Sequence, residues 1–419
     1  MSAKPGDKVK LTTSDGEFEG ILLPRPDMMS QDIAVLKLKT GYNIGIESKK
    51  IKKTEVLEEY RAPVVKVRKL KENKDLPTVA ILSTGGTISS RVDYRTGGVY
   101  ADYTAEDFVA MCPELENIAN LKAAKVMSMM SEDAMSSDWV RMAEEIIKVI
   151  NEVDGIVITH GTDTMHFTSA ALSFLLKDLN KPVVITGSQR SIDRGSSDAF
   201  MNLTCAVTAA AKWDGAGVVI CMHGSINDDF CNLTRGTKVR KMHTSRRDAF
   251  RAINDEPLAR IFTDGRIEIT NEENSKRHKG AVSIRELDSK VALVYAHPEM
   301  DPGIIDYHIK QKVHGIVLAG TGLGHVPAKL EPALKKAVKA KIKVVVCAQT
   351  LYGRVHPYVY TNLRKLSIGV GALYLADMLP EVAYVKLMAA LKQKNPEEFM
   401  LANIAGEISS REVDDCFLR

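Results

Sequence analysis

Three short stretches hold the residue types that acyl transfer on an unactivated amide or ester requires. In ILSTGGTISS, residues 81–90, Thr87 follows the Gly85-Gly86 turn where a buried apolar run ends. In ITHGTDTMHF, residues 158–167, Thr162 stands beside Asp163. The third, TKVRKMHTSRRDAF at residues 237–250, is cationic and offers Lys238 and Lys241. A threonine hydroxyl is a poor nucleophile until a base takes its proton and donors stabilise the oxyanion, which backbone N–H groups of a glycine-rich turn can do. A lysine in a dry cleft can lose its proton near neutral pH and serve as that base. A carboxylate beside a ligand holds an ammonium or orients a proton carrier. Spacing leaves open which lysine faces the cleft. It also leaves Asp163 a plainer role, capping a helix that begins near Thr164, and the cationic stretch by itself fits a solvated charged face.

Other chemistries lack their signatures. TGGT has no GK[ST] ending for a phosphate loop and no GxGxxG spacing for a dinucleotide. His160 and His166 lack the HExxH spacing of a metal helix and read as structural. There is no GxSxG elbow, and GTGLGHVP at Gly320 reads as a tight turn. Six cysteines, at 112, 205, 221, 231, 347 and 416, form no CxxC pair, so buried reduced thiols are expected rather than a zinc site or disulfides. No cofactor or metal is expected in this chain.

These residues must be positioned by several folded units. At 419 residues, 45% apolar and 26% charged, the chain predicts a soluble protein of two or three domains. No signal peptide or apolar run of membrane length is visible, which predicts a cytoplasmic location. A net charge of +4 neither requires nor excludes a nucleic-acid partner.

Residues 1–58 alternate apolar and polar in short runs (VKLTT, EGILL, IAVLKLK, NIGIES) with turn signals between, predicting a small β-barrel of the SH3-like or Sm-like kind. Residues 59–75 read as a charged linker. From 76 to 265, buried runs ending in glycine or hydroxyl residues alternate with helices such as SSDWVRMAEEIIKVINE, the pattern of a parallel sheet covered on both faces. TAEDF from Thr104 resembles a capping box. Residues 266–288 read as an interdomain linker, 289–395 as a second α/β domain and 396–419 as a C-terminal tail.

The motifs TGGTI (84–88) and HGTDT (160–164) resemble, without substitution, the two signatures of the bacterial-type L-asparaginase family, over roughly residues 76 to 395. The resemblance implies an asparaginase-like two-domain core, with Thr87 as nucleophile and Thr162, Asp163 and a lysine as a second catalytic set. The family's V-x-K, followed nine residues later by phenylalanine, matches Val239, Lys241 and Phe250, which favours Lys241 over Lys238. Tyr100 lies at the spacing of the family's mobile-loop tyrosine, with Tyr94 a competitor. SED at 131–133 matches its substrate-holding S-Q-D, so Ser131, Glu132 and Asp163 would bind substrate.

Glutamate in place of that glutamine, together with the amino-terminal barrel, resembles the family of asparaginase-like D-type subunits of archaeal glutamyl-tRNA(Gln) amidotransferases. That resemblance implies release of ammonia from glutamine or asparagine for amidation of Glu-tRNA(Gln) by a partner, the E-type subunit, which would hold ATP and Mg²⁺. It further implies a homodimer within a heterotetramer, contact with tRNA mainly through the partner, and no membrane. The alternatives are a free-standing cytoplasmic L-asparaginase and, less consistent with the intact constellation, a nucleic-acid-binding protein with a degenerate core.

Overall fold

The computed structural model describes residues 3–23, 32–40, 42–60, 73–86, 88, 90–92, 99–101, 112–192 and 195–412. The helix expected from Thr104 falls outside them.

The amino-terminal unit comprises β1 (Lys8–Thr13), β2 (Gly16–Leu23), β3 (Ile33–Lys37), β4 (Asn43–Glu47) and β5 (Ile51–Glu58), all antiparallel in the order β4-β3-β2-β1-β5. Alternation along these strands turns Val9, Leu11, Leu36 and Ile46 into one small core. Two register shifts between β1 and β5 bend the sheet over that core.

The larger domain begins with β6 (Thr78–Gly85), the hairpin β7 (Ser90–Val92) and β8 (Val99–Ala101), β9 (Asn120–Met129), helix α1 (Ser136–Val149) and β10 (Gly155–Thr159). Trp139, Met142, Ala143 and Ile146 form the buried face of α1. The Asp138 carboxylate accepts the Met135 N–H at 2.8 Å and closes its first turn. Next come α2 (Met165–Leu175), β11 (Leu176–Lys177), β12 (Pro182–Thr186), α3 (Ala199–Lys212), β13 (Gly217–His223) and β14 (Cys231–Arg235). The hairpin β15 (Val239–Lys241) and β16 (Phe250–Ala252) and strands β17 (Ala259–Ile261) and β18 (Ile267–Ile269) follow.

The main sheet has the order β18-β17-β14-β13-β12-β10-β6-β9. Strands β9, β6, β10, β12 and β13 are parallel, whereas β14, β17 and β18 are antiparallel. The sheet is therefore mixed, where sequence alternation alone suggested a parallel one. β18 and β19 (Ser283–Ile284, paired with β11) lie inside the segment read as a linker. Strands of two or three partly exposed residues offer too few positions for a period to show.

The second α/β unit contains β20 (Val291–Tyr295), α4 (Gly303–Lys310), β21 (Gly315–Gly320), α5 (Glu331–Lys339), β22 (Lys343–Ala348), β23 (Leu373–Tyr374) and α6 (Pro380–Ala390), its four strands parallel in chain order. Helix α6 is buried all round, packing on α2 of the first domain and on β20 and β21 of its own. One apolar cluster consequently runs through both domains.

The carboxyl-terminal segment differs from a loose tail. After α7 (Pro396–Leu401) it packs into the core: Glu407 pairs with Lys386 of α6 at 2.5 Å, both side chains fully buried, and Ala405 O accepts from Thr237 Oγ1 at 2.9 Å. Lys386 also donates to Met400 O, and Glu407 accepts the N–H groups of Ile404 and Ala405. A buried ion pair is tolerable only with its remaining hydrogen bonds filled in this way.

Candidate active site

The chain leaves β6 for β9 on one side and returns to β10 on the other, so the topological switch point lies between β6 and β10. Both glycine-hydroxyl motifs end strands at that point, with Ser83 paired to Thr159. Their turns touch. Gly86 has φ +78°, and a Cβ there would come 2.2 Å from the Gly161 nitrogen. A Cβ on Gly161 would in turn meet the Ser131 side chain at 2.7 Å. Thr84 Oγ1 donates to Thr159 O at 2.8 Å, and Thr164 Oγ1 to Ser131 O at 2.6 Å. Three rim turns, from β6, β9 and β10, are thereby locked together, by close approaches at Gly86 and Gly161 that leave no room for a Cβ and by two threonine hydroxyls bonded to backbone carbonyls.

Thr87 lies outside the described residues, between Gly86 and the buried Ile88. The backbone of Tyr100 pairs with Arg91 in the β7–β8 hairpin beyond it.

The lysine question is answered by geometry. Lys241 Nζ donates to Thr162 Oγ1 at 2.9 Å and to Asp163 Oδ1 at 2.7 Å. The lysine side chain is 9% exposed and that of Asp163 is 67% exposed, so the cation is withdrawn while the carboxylate reaches toward the rim opening. Lys238 is buried elsewhere, 2.5 Å from the Asp377 carboxylate of the second domain, where burial pushes its pKa below the ordinary lysine value. On a strand, residues three apart point to opposite faces, which separates the two cations.

Asp163 does not cap α2; Thr164 occupies the N-cap position and Asp163 turns to Lys241. Ser131 is buried against Gly161 and Thr164, and the exposed Glu132 is its neighbour in the same short turn. The two histidines differ from metal ligands in setting. His160 Nε2 lies 3.0 Å from Thr168 Oγ1, which also accepts from Trp139 Nε1 at 3.0 Å, and burial lowers its pKa. Burial chiefly, with Arg240 and Lys241 nearby, brings His166 down to about 4, so both rings are neutral at pH 7. Among the described residues no group of three or more His, Cys, Asp or Glu side chains could hold a metal.

Lys241 Nζ thus links the Thr162 hydroxyl and the Asp163 carboxylate in one hydrogen-bonded chain at the rim, an arrangement of the kind that can relay a proton. Beyond the residues anticipated from sequence stands Asp377, which fixes the hairpin that presents Lys241. It accepts from Lys238 and from Ser409 N at 3.0 Å. Asn254, just after β16, has φ +54° and receives the Gly353 N–H at 3.0 Å. Nothing local marks Asp377, which gains its role from a contact 139 residues away.

Comparison with known proteins agrees with this geometry. Residues 78–275 match the model of the asparaginase N-terminal domain, 290–400 that of the glutaminase/asparaginase C-terminal domain, and 3–57 that of the GatD N-terminal domain. The chain is similar to the D-type subunit of the glutamyl-tRNA(Gln) amidotransferase of Pyrococcus furiosus, 47% identical over 99% of this chain and 97% of that one. The corresponding protein of Methanopyrus kandleri is 42% identical over 97% and 92%. Among solved structures, the thermostable L-asparaginase of Thermococcus kodakarensis is 30% identical with a TM-score of 0.70, covering 80% of this chain and 100% of that one. L-asparaginase I of Vibrio cholerae is 28% identical, TM-score 0.69, over 80% and 99%. With the asparaginase-like core and the additional amino-terminal domain both matched along nearly the whole chain, this protein belongs to the family of D-type subunits of glutamyl-tRNA(Gln) amidotransferase.

Proposed function

We propose that this chain is the amidohydrolase component of a glutamyl-tRNA(Gln) amidotransferase, releasing ammonia from glutamine or asparagine for a partner subunit. The observation behind this reading is the Lys241 Nζ contact with both Thr162 Oγ1 and Asp163 Oδ1 at the switch point of the sheet. Asp163 and Glu132 hold the substrate α-ammonium. Thr87 Oγ attacks the side-chain amide carbon and loses its proton to the base. The C–N bond breaks, ammonia departs with that proton, and an acyl ester on Thr87 remains. Water then attacks the ester, giving up a proton to the Thr162-Lys241-Asp163 set; the bond from the acyl carbon to Thr87 Oγ breaks, that oxygen takes the proton back as a hydroxyl, and glutamate or aspartate leaves. The β7–β8 hairpin containing Tyr100 closes over the substrate.

The partner, the E-type subunit, binds ATP and Mg²⁺ and most of the tRNA, and the assembly is a heterotetramer built on a homodimer of this chain, in an archaeal cytoplasm. No described helix is long and apolar enough to cross a membrane. Likeness to L-asparaginases over 80% of the chain favours a second reading, a free-standing asparaginase with an accessory domain.

One experiment separates them: ammonia release from glutamine and from asparagine by the chain alone, then with its partner, ATP-Mg²⁺ and Glu-tRNA(Gln). Stimulation by the additions supports the amidotransferase reading. Fast release indifferent to them supports the asparaginase, and no release under any condition removes both.

A further inference from the structure

The β15–β16 hairpin carries Lys241, yet it is a two-stranded sheet of three residue pairs, too short to hold itself in water. Val239, Phe250 and Ile253 bury its apolar face in the core that both domains share. Apolar contact is non-directional, so it keeps the hairpin down without fixing where along the core it lies. Directional bonds must do that, because Lys241 Nζ has to meet Thr162 Oγ1 at 2.9 Å and Asp163 Oδ1 at 2.7 Å.

Such bonds come from the carboxyl-terminal segment, which runs across the base of the hairpin. On the way into the hairpin, Ala405 O accepts from Thr237 Oγ1, and Gly406 lies so close to Arg235 that a Cβ there would meet Arg235 Cδ at 2.6 Å. The base itself is closed by the Ile253 N–H, which donates to Lys238 O at 2.8 Å.

Ser409 reaches both ends at once. Asp377 Oδ1 accepts its N–H at 3.0 Å, and the same carboxylate accepts from Lys238 Nζ, three residues before Lys241. Its Oγ donates to Asn254 O at 3.1 Å, two residues after β16. Its carbonyl accepts from Arg354 Nη1 of the second domain at 2.8 Å. Each of the three polar groups of Ser409 thus engages a different segment of the chain.

We infer that Ser409 is a positioning residue for amide hydrolysis: it clamps the two ends of the hairpin to the second domain and thereby holds Lys241 in reach of Thr162 and Asp163. The inference rests on the amidohydrolase reading and deepens it. A catalytic group misplaced by about 1 Å can cost on the order of a hundredfold in rate. Loosening the clamp is therefore felt in turnover rather than in substrate binding.

The test is kcat and KM for ammonia release by the full chain carrying Ser409→Ala, Ser409→Pro, Ser409→Thr or Ser410→Ala, with the partner subunit present if release requires it. Thermal unfolding is followed in parallel. Ser409→Ala removes only the bond to Asn254 and should lower kcat about three- to tenfold. Ser409→Pro removes the hydroxyl and the N–H together and should lower it about ten- to hundredfold. KM should stay within about twofold of wild type in both. Ser409→Thr keeps both donors and should retain wild-type kcat, as should Ser410→Ala at the exposed neighbouring position.

Wild-type kcat in Ser409→Ala overturns the inference and leaves the amidohydrolase reading standing. A raised KM at unchanged kcat overturns it too, because the residue would then serve substrate binding. So does a loss of kcat matched by unfolding at the assay temperature, or an equal loss in Ser409→Thr or Ser410→Ala, since either would reflect general loosening of the segment. If Ser409→Pro fails to fold, the Ser409→Ala and Ser409→Thr comparison decides alone. If the wild type releases no ammonia under any condition, the amidohydrolase reading falls and the inference falls with it.

Discussion

The two α/β domains each end a buried parallel strand in a turn that combines glycine, threonine and histidine, THGTDT after β10 and GTGLGH after β21. They differ in what reaches them. At the second rim the polar groups satisfy one another: Thr321 and His325 exchange both backbone hydrogen bonds at 2.8 Å, Thr321 Oγ1 donates to His325 O, and Gln349 Nε2 donates to the carbonyls of Ala296 and Ala319. At the first rim the β15–β16 hairpin folds back and delivers Lys241 to Thr162 and Asp163. A glycine-hydroxyl turn is therefore a platform, and chemistry depends on whether another segment brings a proton carrier to it.

That contrast is open to tests of decreasing effect. Lys241→Met should lower turnover by roughly two to four orders of magnitude with little change in stability, read by ammonia release beside thermal unfolding. Near-wild-type turnover would show that the chemistry does not depend on the proton carrier that the hairpin delivers.

Lys238→Met addresses the same hairpin from its other face. It leaves Asp377 buried without its cation and should cost about 3–5 kcal/mol of stability in denaturant unfolding. An undiminished midpoint would show that the hairpin is not held from the second domain.

Gly86→Ala and Gly322→Ala compare the turns directly. Both glycines have positive φ, +78° and +51°, but a Cβ at Gly86 strikes Gly161 whereas at Gly322 it meets open space. The first should cost at least about 2 kcal/mol and the second roughly 1 kcal/mol. Equal costs would mean that the first rim is no more tightly locked than the second.

The last effect is in pH. His166 is held near pKa 4 by burial, while unfolded histidine titrates near 6.5, so between those values the unfolded chain binds more protons. Its contribution to stability is therefore present above 6.5 and declines as pH falls toward 4, by up to about 1.4 kcal/mol per unit. His166→Asn should flatten the stability profile across that window, read from unfolding midpoints at successive pH values.

Much of this organisation was readable from local pattern. Buried runs at 155–159 and 182–186, the amphipathic helix at 136–149 and the alternating strands of the first 58 residues announce themselves, because burial of one face imposes a period. The motif residues Thr162 and Asp163 were visible as a hydroxyl and an acid at a strand end. The three antiparallel additions to the main sheet were not, since β17 and β18 have only three residues each. Nor was the packing of segment 402–412, whose anchors are hydrogen bonds to Thr237 and Asp377, far away in the chain.

By itself the sequence determined which side chains exist and where strands must stop: two glycine-hydroxyl turns 75 residues apart, with a cationic stretch after them. Residue type and spacing left Lys238 and Lys241 open, both long, charged and three positions apart, and only the resemblance of Val239, Lys241 and Phe250 to the family's motif favoured Lys241. The tertiary structure decided it by supplying partners. Asp377 neutralises one lysine inside the domain boundary, and Thr162 with Asp163 engages the other at the switch point. A charge is stable in a protein interior only where a partner meets it, and partners so distant in sequence meet only through the fold.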